Sequence, residues 1–271
     1  MKILVINPNT TESMTGEIGA SARRCAQLGT VIDTVTADWG PRSIECHFEE
    51  VLAAAATTQL VARHQNDYDA FVIACYGDPG LYAAKEVTDR PVIGIGEASI
   101  LLACMLAHKF SVVTVIDRIV PMLEDMIGRY GLSKRCVSVR SSGLTVLEIE
   151  EDPTRAVREI VRAARLAIEH DGAEAITLGC AGMGLVERTV AQELSDVPVI
   201  DSVVAAVKAA EALVGAGLAT SKVRAFAAPE PKEIVGLHTL TSDTAAESGR
   251  RRRDPVSLDP ADQNGSFASQ N

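Results

Sequence analysis

The chain has 271 residues with a formal net charge of −10 at pH 7, 47% hydrophobic residues and only 4% aromatic residues. This length fits one large core or two smaller ones, and the composition is that of a globular protein, which excludes collagen-like, low-complexity and wholly disordered chains. The acidic charge disfavours nucleic acid as a partner, and no apolar run approaches the roughly 20 residues that a membrane-spanning helix needs.

Short β-branched runs alternate along the chain with longer alanine-rich stretches of helical periodicity, a pattern typical of parallel strands covered by helices. In the first part of the chain the predicted elements are strand 2–7, helix 14–28, strand 31–37, helix 48–64, strand 70–75, helix 81–87 and strand 92–95. They continue with helix 99–107, strand 111–116, helix 120–130, strand 136–141, helix 155–170, strand 175–180, helix 184–194, strand 199–201 and helix 203–216. The sequence therefore predicts an α/β fold with eight strands in two sets of four.

The second half of the chain repeats features of the first at a nearly constant offset. Cys75 and Cys180, each followed by a glycine-containing turn, are 105 residues apart, and Pro91 and Pro198, each opening a Pro-Val-Ile run, are 107 apart. Self-similarity at a fixed spacing indicates repeated structural units. We therefore expect an internal duplication that gives two pseudo-symmetric parallel-sheet domains, with the active site in the cleft between them.

The duplication predicts how the chain is divided. Residues 1–96 together with about 203–225 form the first α/β half, because helix 203–216 is expected to return and pack on it, and residues 97–202 form the second half. From residue 239 to 271 the sequence has almost no large apolar side chains and no periodicity, so it cannot offset the entropy of ordering. This segment is predicted to be a disordered tail.

Cys75 and Cys180 are the candidate functional residues because they occupy the same point in both repeats, at the end of a strand and before a turn. In open parallel sheets, ligand sites lie beyond the carboxyl ends of the strands. A thiol at a helix N-terminus is expected to have a lowered pKa, so that thiolate is accessible near neutral pH. If a pseudo-twofold axis relates the halves, the two thiols face each other across one cleft.

Two thiols on opposite sides of one carbon suit the inversion of a stereocentre next to a carbonyl group. One thiolate removes the proton to give a planar enolate, and the opposing thiol returns a proton to the other face. Turn amides can stabilise the enolate oxygen, so this chemistry requires neither a metal nor an organic cofactor.

Other motifs are weaker. Residues 94–99, GIGEAS, place Ser99 where a dinucleotide-binding fingerprint needs a third Gly or Ala. The five histidines are dispersed, none pairs with a cysteine at metal-ligand spacing, and the chain has no CxxC, so no metal site is predicted. Met122 and Met126, at helical spacing, are interpreted as packing residues. The chain start lacks the features of a signal peptide, so we expect a cytoplasmic protein with six free thiols.

Four motifs together resemble the aspartate/glutamate/hydantoin racemase superfamily, most closely its hydantoin racemases and the neighbouring allantoin racemases. The motifs are NPNT from Asn7, CYGDPG from Cys75, GIGEAS at 94–99 and LGCAGM around Cys180, and the resemblance covers roughly residues 1–220. It implies a cofactor-independent, two-cysteine racemase that is commonly oligomeric and acts on a small molecule. By this resemblance the catalytic residues are Cys75 and Cys180, and the substrate-binding residues are Asn7, Tyr76, Gly77, Ala181 and Gly182.

The turn after the first cysteine bears on the substrate. Amino-acid racemases of this superfamily usually have Asn and Thr there, whereas this chain has Tyr76-Gly77-Asp78-Pro79. Tyr76 could form a ring-sized apolar wall and Asn7 could donate hydrogen bonds, which favours a neutral cyclic ureide, a 5-monosubstituted hydantoin. Allantoin or an amino acid of the aspartate/glutamate type stays open, with Arg118 the nearest candidate partner for a carboxylate.

Two alternatives lie outside the racemases. A decarboxylase or a cis–trans isomerase on the same scaffold would use one cysteine, and the presence of two thiols argues against the decarboxylase. A non-enzymatic protein that binds a small ligand would tolerate the loss of either cysteine without losing ligand affinity.

Overall fold

The structure, a computed structural model, describes residues 1–232 and contains two four-stranded parallel sheets. The first sheet consists of β1 (Lys2–Asn7), β2 (Val31–Thr36), β3 (Ala70–Ile73) and β4 (Val92–Gly94). The second sheet consists of β5 (Phe110–Thr114), β6 (Cys136–Ser141), β7 (Ile176–Leu178) and β8 (Val199–Ile200). Their strand orders, β2-β1-β3-β4 and β6-β5-β7-β8, are equivalent. The predicted α/β fold with two sets of four strands is confirmed.

Helices connect the strands of each sheet and cover their faces. The α-helices are α1 (Glu12–Cys25), α2 (His47–His64), α3 (Leu81–Val87), α4 (Ile95–Leu106), α5 (Val120–Arg129), α6 (Val146–Glu151), α7 (Pro153–Asp171), α8 (Glu187–Glu193) and α9 (Ser202–Gly215). Short 3-10 helices occupy Asp117–Ile119, Ala181–Leu185 and Arg224–Phe226. Within residues 1–232, no helix combines the length and apolar character needed to cross a membrane.

Several elements differ from the prediction. Helix α4 begins at Ile95, directly after β4, so the GIGEAS motif forms the end of a strand and the first turn of a helix. The predicted helix 184–194 is a 3-10 helix followed by α8. Helix α6 was missed because it has only six residues, although Thr145 and Glu148 form a capping box at its start.

The inner strands β1, β3, β5 and β7 are almost entirely buried because helices cover both faces of each sheet. All four residues of β3 and all five of β5 are buried. A single cluster of buried apolar side chains includes Val72 of β3 and Val112 of β5, so the two sheets share a continuous core. This shared core fixes the position of one sheet against the other.

Helix α9 follows the last strand and packs against α1 and α4, with further contacts to β3 and β4 of the first sheet. The boundaries assigned to the two halves, near residues 96 and 203, stay a prediction. The predicted disordered tail, 239–271, lies outside the described residues.

Candidate active site

The two thiols lie at equivalent places in the two sheets. Cys75 lies two residues after β3 and Cys180 two residues after β7, and each of these strands is third in its sheet. The turns are closed alike: Asp78 N donates to Cys75 O at 3.0 Å and Met183 N donates to Cys180 O at 3.1 Å. Both side chains are half-buried, and both line one cavity of about 60 Å³. The structure therefore brings the two predicted catalytic residues to the same cavity.

Burial dominates the electrostatics of both thiols. It raises the pKa of Cys180 to about 11, although the backbone N–H groups of Gly182 and Met183 lower the pKa by hydrogen bonding to the sulfur. Burial also raises the pKa of Cys75, the Gly77 N–H opposes this, and the negative charge of a Cys180 thiolate would raise the pKa further. The backbone donors therefore favour thiolate, but they do not compensate for the loss of water.

The expectation of a lowered thiol pKa at a helix N-terminus is wrong for both residues. No helix begins at Cys75, because the turn continues to α3 at Leu81. Cys180 precedes a 3-10 helix of only five residues, which provides little dipole. Strands β3 and β7 each end two residues earlier than predicted, so each cysteine lies in the turn after its strand and not at the strand end.

The wall of the cavity is largely apolar. Its apolar side chains come from α1, the segment after β2, the segment after β5, α5 and α6: Met14, Ile44, Val115, Ile119, Met122, Leu123, Met126 and Val146. Met122 and Met126, interpreted from the sequence as packing residues, are thus part of the cavity wall. Asn9 and Glu50 add an amide and a carboxylate, and the described residues that line the cavity include no lysine or arginine. Arg118 is exposed and lies outside the lining.

Three of the five predicted substrate-binding residues, Tyr76, Gly77 and Ala181, line the cavity, whereas Asn7 and Gly182 do not. Gly182 lies beside the site and acts on Cys180 through its backbone N–H. These placements leave the substrate contacts themselves as a prediction.

Asn7 is buried and serves the turn that follows β1. Its Nδ2 donates to Asn9 Oδ1 at 2.8 Å and to Thr15 Oγ1 at 3.0 Å, and its Oδ1 accepts from Asn9 N at 3.3 Å. Asn9, the second asparagine of NPNT, is the one that reaches the cavity lining. Asn7 therefore holds Asn9 in place.

Tyr76 links the two sheets. Its side chain is buried, and its hydroxyl lies 2.7 Å from Thr177 Oγ1 of β7. Burial of the ring raises the pKa of Tyr76, so the hydroxyl is neutral. Tyr76 thus lines the cavity, and its hydroxyl holds the ring in place through Thr177 of the other sheet.

Sequence reasoning missed the segment that follows β2, which supplies Ile44 to the cavity, and the first turn of α2, which supplies Glu50. Glu45 Oε1, in the segment after β2, accepts a hydrogen bond from Val146 N of α6 at 2.8 Å. This segment of the first sheet is therefore bonded to a helix that follows β6 of the second sheet. Gly40-Pro41 after β2 was the available signal, since turn residues beyond a strand end had identified the other loops of the site.

Within residues 1–232, no three His, Cys, Asp or Glu side chains come together as a metal ion would require. The polar groups near the thiols include the Asn9 amide and the Glu50 carboxylate, which line the cavity, and the turn N–H groups. They can hold a small ligand by hydrogen bonds while the apolar wall excludes water.

The chain matches a known protein family over most of its length. The family model described as Asp/Glu/Hydantoin racemase matches residues 3–210. A hydantoin racemase of Pseudomonas sp. (strain NS671) is 48% identical over 87% of this chain and 95% of its own length.

Two solved structures of allantoin racemases are similar to this one. That from Klebsiella pneumoniae has a TM-score of 0.85 and 41% identity, covering 89% of this chain and 98% of its own. That from Pseudomonas fluorescens has a TM-score of 0.84 and 47% identity, covering 87% and 100%. As the motifs at the two cysteines predicted, the chain belongs to the Asp/Glu/Hydantoin racemase family, and the enzyme is an isomerase of the racemase type.

Proposed function

We propose that this racemase inverts the stereocentre of 5-monosubstituted hydantoins by proton transfer between Cys75 and Cys180, without a cofactor. The observation that carries the proposal is the placement of both thiols in one cavity, on equivalent turns of two equivalent sheets. A reaction that needs one base and one acid on opposite faces of a carbon uses such a pair fully.

In this mechanism each cysteine is the base for one enantiomer and the acid for the other. The thiolate removes the proton from C5 of the hydantoin ring, the electron pair of the C–H bond moves into a planar enolate, and the opposing thiol protonates the other face. The N–H groups of Gly77 and Gly182 stabilise the thiolate form of each base. The Asn9 side chain, held by Asn7, is positioned to hydrogen bond a polar edge of the ring.

The charges of the lining favour a neutral substrate. The described residues that line the cavity include one carboxylate, that of Glu50, and neither a lysine nor an arginine. Arg118 is exposed and lies outside the cavity lining. A free amino acid would bring its α-carboxylate into this site without a cationic partner, which is costly in a buried environment. A cyclic ureide brings amides and no full charge, and its 5-substituent can pack on the apolar wall.

Allantoin is the second candidate because the two allantoin racemases above share the fold at 41% and 47% identity. Its ureido substituent is polar and would need hydrogen bonds where this cavity presents Met, Ile, Val and Leu side chains. Optical rotation measured on benzyl-, isobutyl- and methylthioethyl-hydantoin, allantoin, aspartate and glutamate decides between the classes. Preference for allantoin over all three hydantoins would replace the proposed substrate.

The two-thiol mechanism is tested by Cys75→Ser and Cys180→Ser. Each variant should lose racemisation, because one face of the substrate has no acid or base of the required strength. Each should still exchange the C5 hydrogen of one enantiomer with deuterated solvent, as measured by NMR, and the two variants should act on opposite enantiomers.

Cys25→Ser is the matched control. Cys25 lies on α1, away from the cavity lining, and its Sγ donates to Ala22 O at 3.2 Å, a hydrogen bond that a serine hydroxyl can also make. This variant should racemise at the wild-type rate. Full racemase activity of Cys75→Ser or of Cys180→Ser would exclude the mechanism. That the protein is a homo-oligomer and that it is cytoplasmic are two further predictions from the sequence.

A further inference from the structure

Asp78 lies three residues after Cys75, in the same turn, and is buried. Its backbone has φ +51°, a left-handed conformation that is unfavourable for a residue with a side chain. Its N–H closes the turn onto Cys75 O at 3.0 Å. A strained, buried acid next to a reacting thiol needs strong compensating contacts.

The Asp78 carboxylate makes three such contacts with two neighbouring helices. It accepts hydrogen bonds from Gly96 N at 2.9 Å and Glu97 N at 2.7 Å, both in the first turn of α4. It also accepts one from the Tyr130 hydroxyl, at the end of α5, at 2.8 Å. The turn that carries Cys75 is therefore connected through one side chain to both helices.

The equivalent helix of the second sheet is capped differently. Asp201 immediately precedes α9 and accepts from Val203 N at 2.8 Å and Val204 N at 3.2 Å. By the Pro-Val-Ile alignment its counterpart before α4 is Gly94, which has no capping side chain. A Cβ at Gly94 would lie 2.1 Å from the Asp78 carboxyl group. The absence of a side chain at Gly94 therefore leaves space for the Asp78 carboxylate, which caps α4 from the turn that carries Cys75.

We propose that Asp78 is a positioning residue for Cys75, holding the thiol at its place in the cavity by fixing the cysteine turn to the start of α4 and to Tyr130. The role rests on the proposed function, because it matters to catalysis only if Cys75 exchanges a proton with substrate. The turn that carries Cys180 has Met183 at the matching position, a side chain without a carboxylate.

The charges around the two thiols give the role a distinctive signature. The groups that raise the pKa of Cys75 by their negative charge are Cys180, Asp78 and Glu50, whereas the carboxylate that acts on Cys180 is Glu45. Burial raises the pKa of Asp78 itself to about 7, with Glu97 also raising it and the hydrogen bond from Tyr130 lowering it. Above neutral pH, Asp78 is therefore ionised and opposes ionisation of Cys75 alone.

The test is Asp78→Asn, with iodoacetamide alkylation of Cys75 and Cys180 followed across pH by peptide mass mapping. Racemisation should fall by about tenfold or more, because a small displacement of a reacting group is costly. The alkylation profile of Cys75 should shift to lower pH by about one unit, because a buried negative charge is removed, while that of Cys180 stays in place. General destabilisation would expose both thiols to water and shift both alkylation profiles, whereas the positioning role predicts a shift at Cys75 alone.

Asp201→Asn is the matched control, since it also removes a buried carboxylate that caps a helix. It should lower stability while leaving the Cys75 alkylation profile unchanged. Tyr130→Phe, which removes one of the three hydrogen bonds without adding a polar group, serves if Asp78→Asn does not fold, and it should slow racemisation severalfold. Equal shifts of both thiols, or unchanged racemisation in Asp78→Asn or Tyr130→Phe, would overturn the inference. Failure of the proposed function would be seen in a different experiment, as full racemase activity of Cys75→Ser, so the two failures can be told apart.

Discussion

At the scale of single residues, the proposed proton transfer depends on how strongly the site opposes ionisation of Cys75 and Cys180. Burial raises the pKa of both Cys75 and Cys180, and the turn N–H groups compensate only in part. The substrate-free site therefore favours two neutral thiols, and deprotonating one makes deprotonating the other harder. The proposed mechanism requires the state in which one cysteine is a thiolate and the other a neutral thiol.

A pH dependence follows from this balance. Because the pKa of Cys180 is raised to about 11 and that of Cys75 is also raised, the thiolate fraction increases with pH throughout the range in which the fold is stable. We expect kcat/KM to rise between about pH 6 and pH 9, measured by polarimetry with far-UV circular dichroism as the folding control. A maximum near pH 6 followed by a decrease would contradict raised thiol pKa values.

The residues of the site were predictable to different degrees. Cys75 and Cys180 could be found from the sequence because the duplication placed each before a glycine turn. The sequence predicted a substrate contact for Asn7, but it is Asn9 that lines the cavity. A sequence does not tell which of two neighbouring asparagines faces a cavity and which hydrogen bonds to the other. Glu50 comes from the first turn of α2, which is distant from Gly77 along the chain, and its approach to Gly77 depends on tertiary packing.

At the scale of elements, glycines decide where helices can begin against the cysteine turn. Gly96, in the first turn of α4, lies so close to that turn that a Cβ would be 2.2 Å from Tyr76 O. Backbone oxygen cannot move aside as a flexible side chain can. The GIGEAS motif, which had the spacing of a weak nucleotide-binding motif, is therefore explained by close packing of α4 on the site.

Substitution of two helical glycines should have opposite effects. Gly96→Ala should lower the free energy of unfolding by about 1–3 kcal/mol, because the added methyl group overlaps Tyr76 O. Gly16→Ala in α1, where a Cβ meets nothing within 4 Å, should raise it by about 0.5–1 kcal/mol through helix propensity. Urea denaturation followed by circular dichroism measures both, and equal effects of the two substitutions would show that the close contact at α4 is absent.

At the scale of the whole molecule, the two sheets behave as parts of one core. Buried side chains from one face of the first sheet share a cluster with those of the second sheet. The Tyr76 hydroxyl also hydrogen bonds with Thr177 across the sheets, and Glu45 accepts a hydrogen bond from Val146 N. The cavity that Cys75 and Cys180 line includes Tyr76 and Val146 from these contacts. The spacing of the two thiols therefore depends on the relative position of the sheets as much as on either turn.

This arrangement predicts cooperative unfolding of residues 1–232. Trp39, the single tryptophan, lies after β2 and reports on the first sheet, whereas far-UV circular dichroism reports on all helices and strands. Because the core is shared, the two urea transitions should have the same midpoint. Two separated midpoints would mean that the sheets unfold independently and that the contacts between them contribute little.

The sequence by itself determined the α/β class, the duplication, the family and the two cysteines, because periodicity, turn residues and repeat spacing are local properties of the chain. Only the tertiary structure decided that burial outweighs the turn N–H groups at both thiols, that Asn9 and Glu50 join the cavity, and that Asp78 caps a helix it does not precede. Desolvation and contacts between distant segments arise when the two sheets pack together, and no single stretch of sequence contains them.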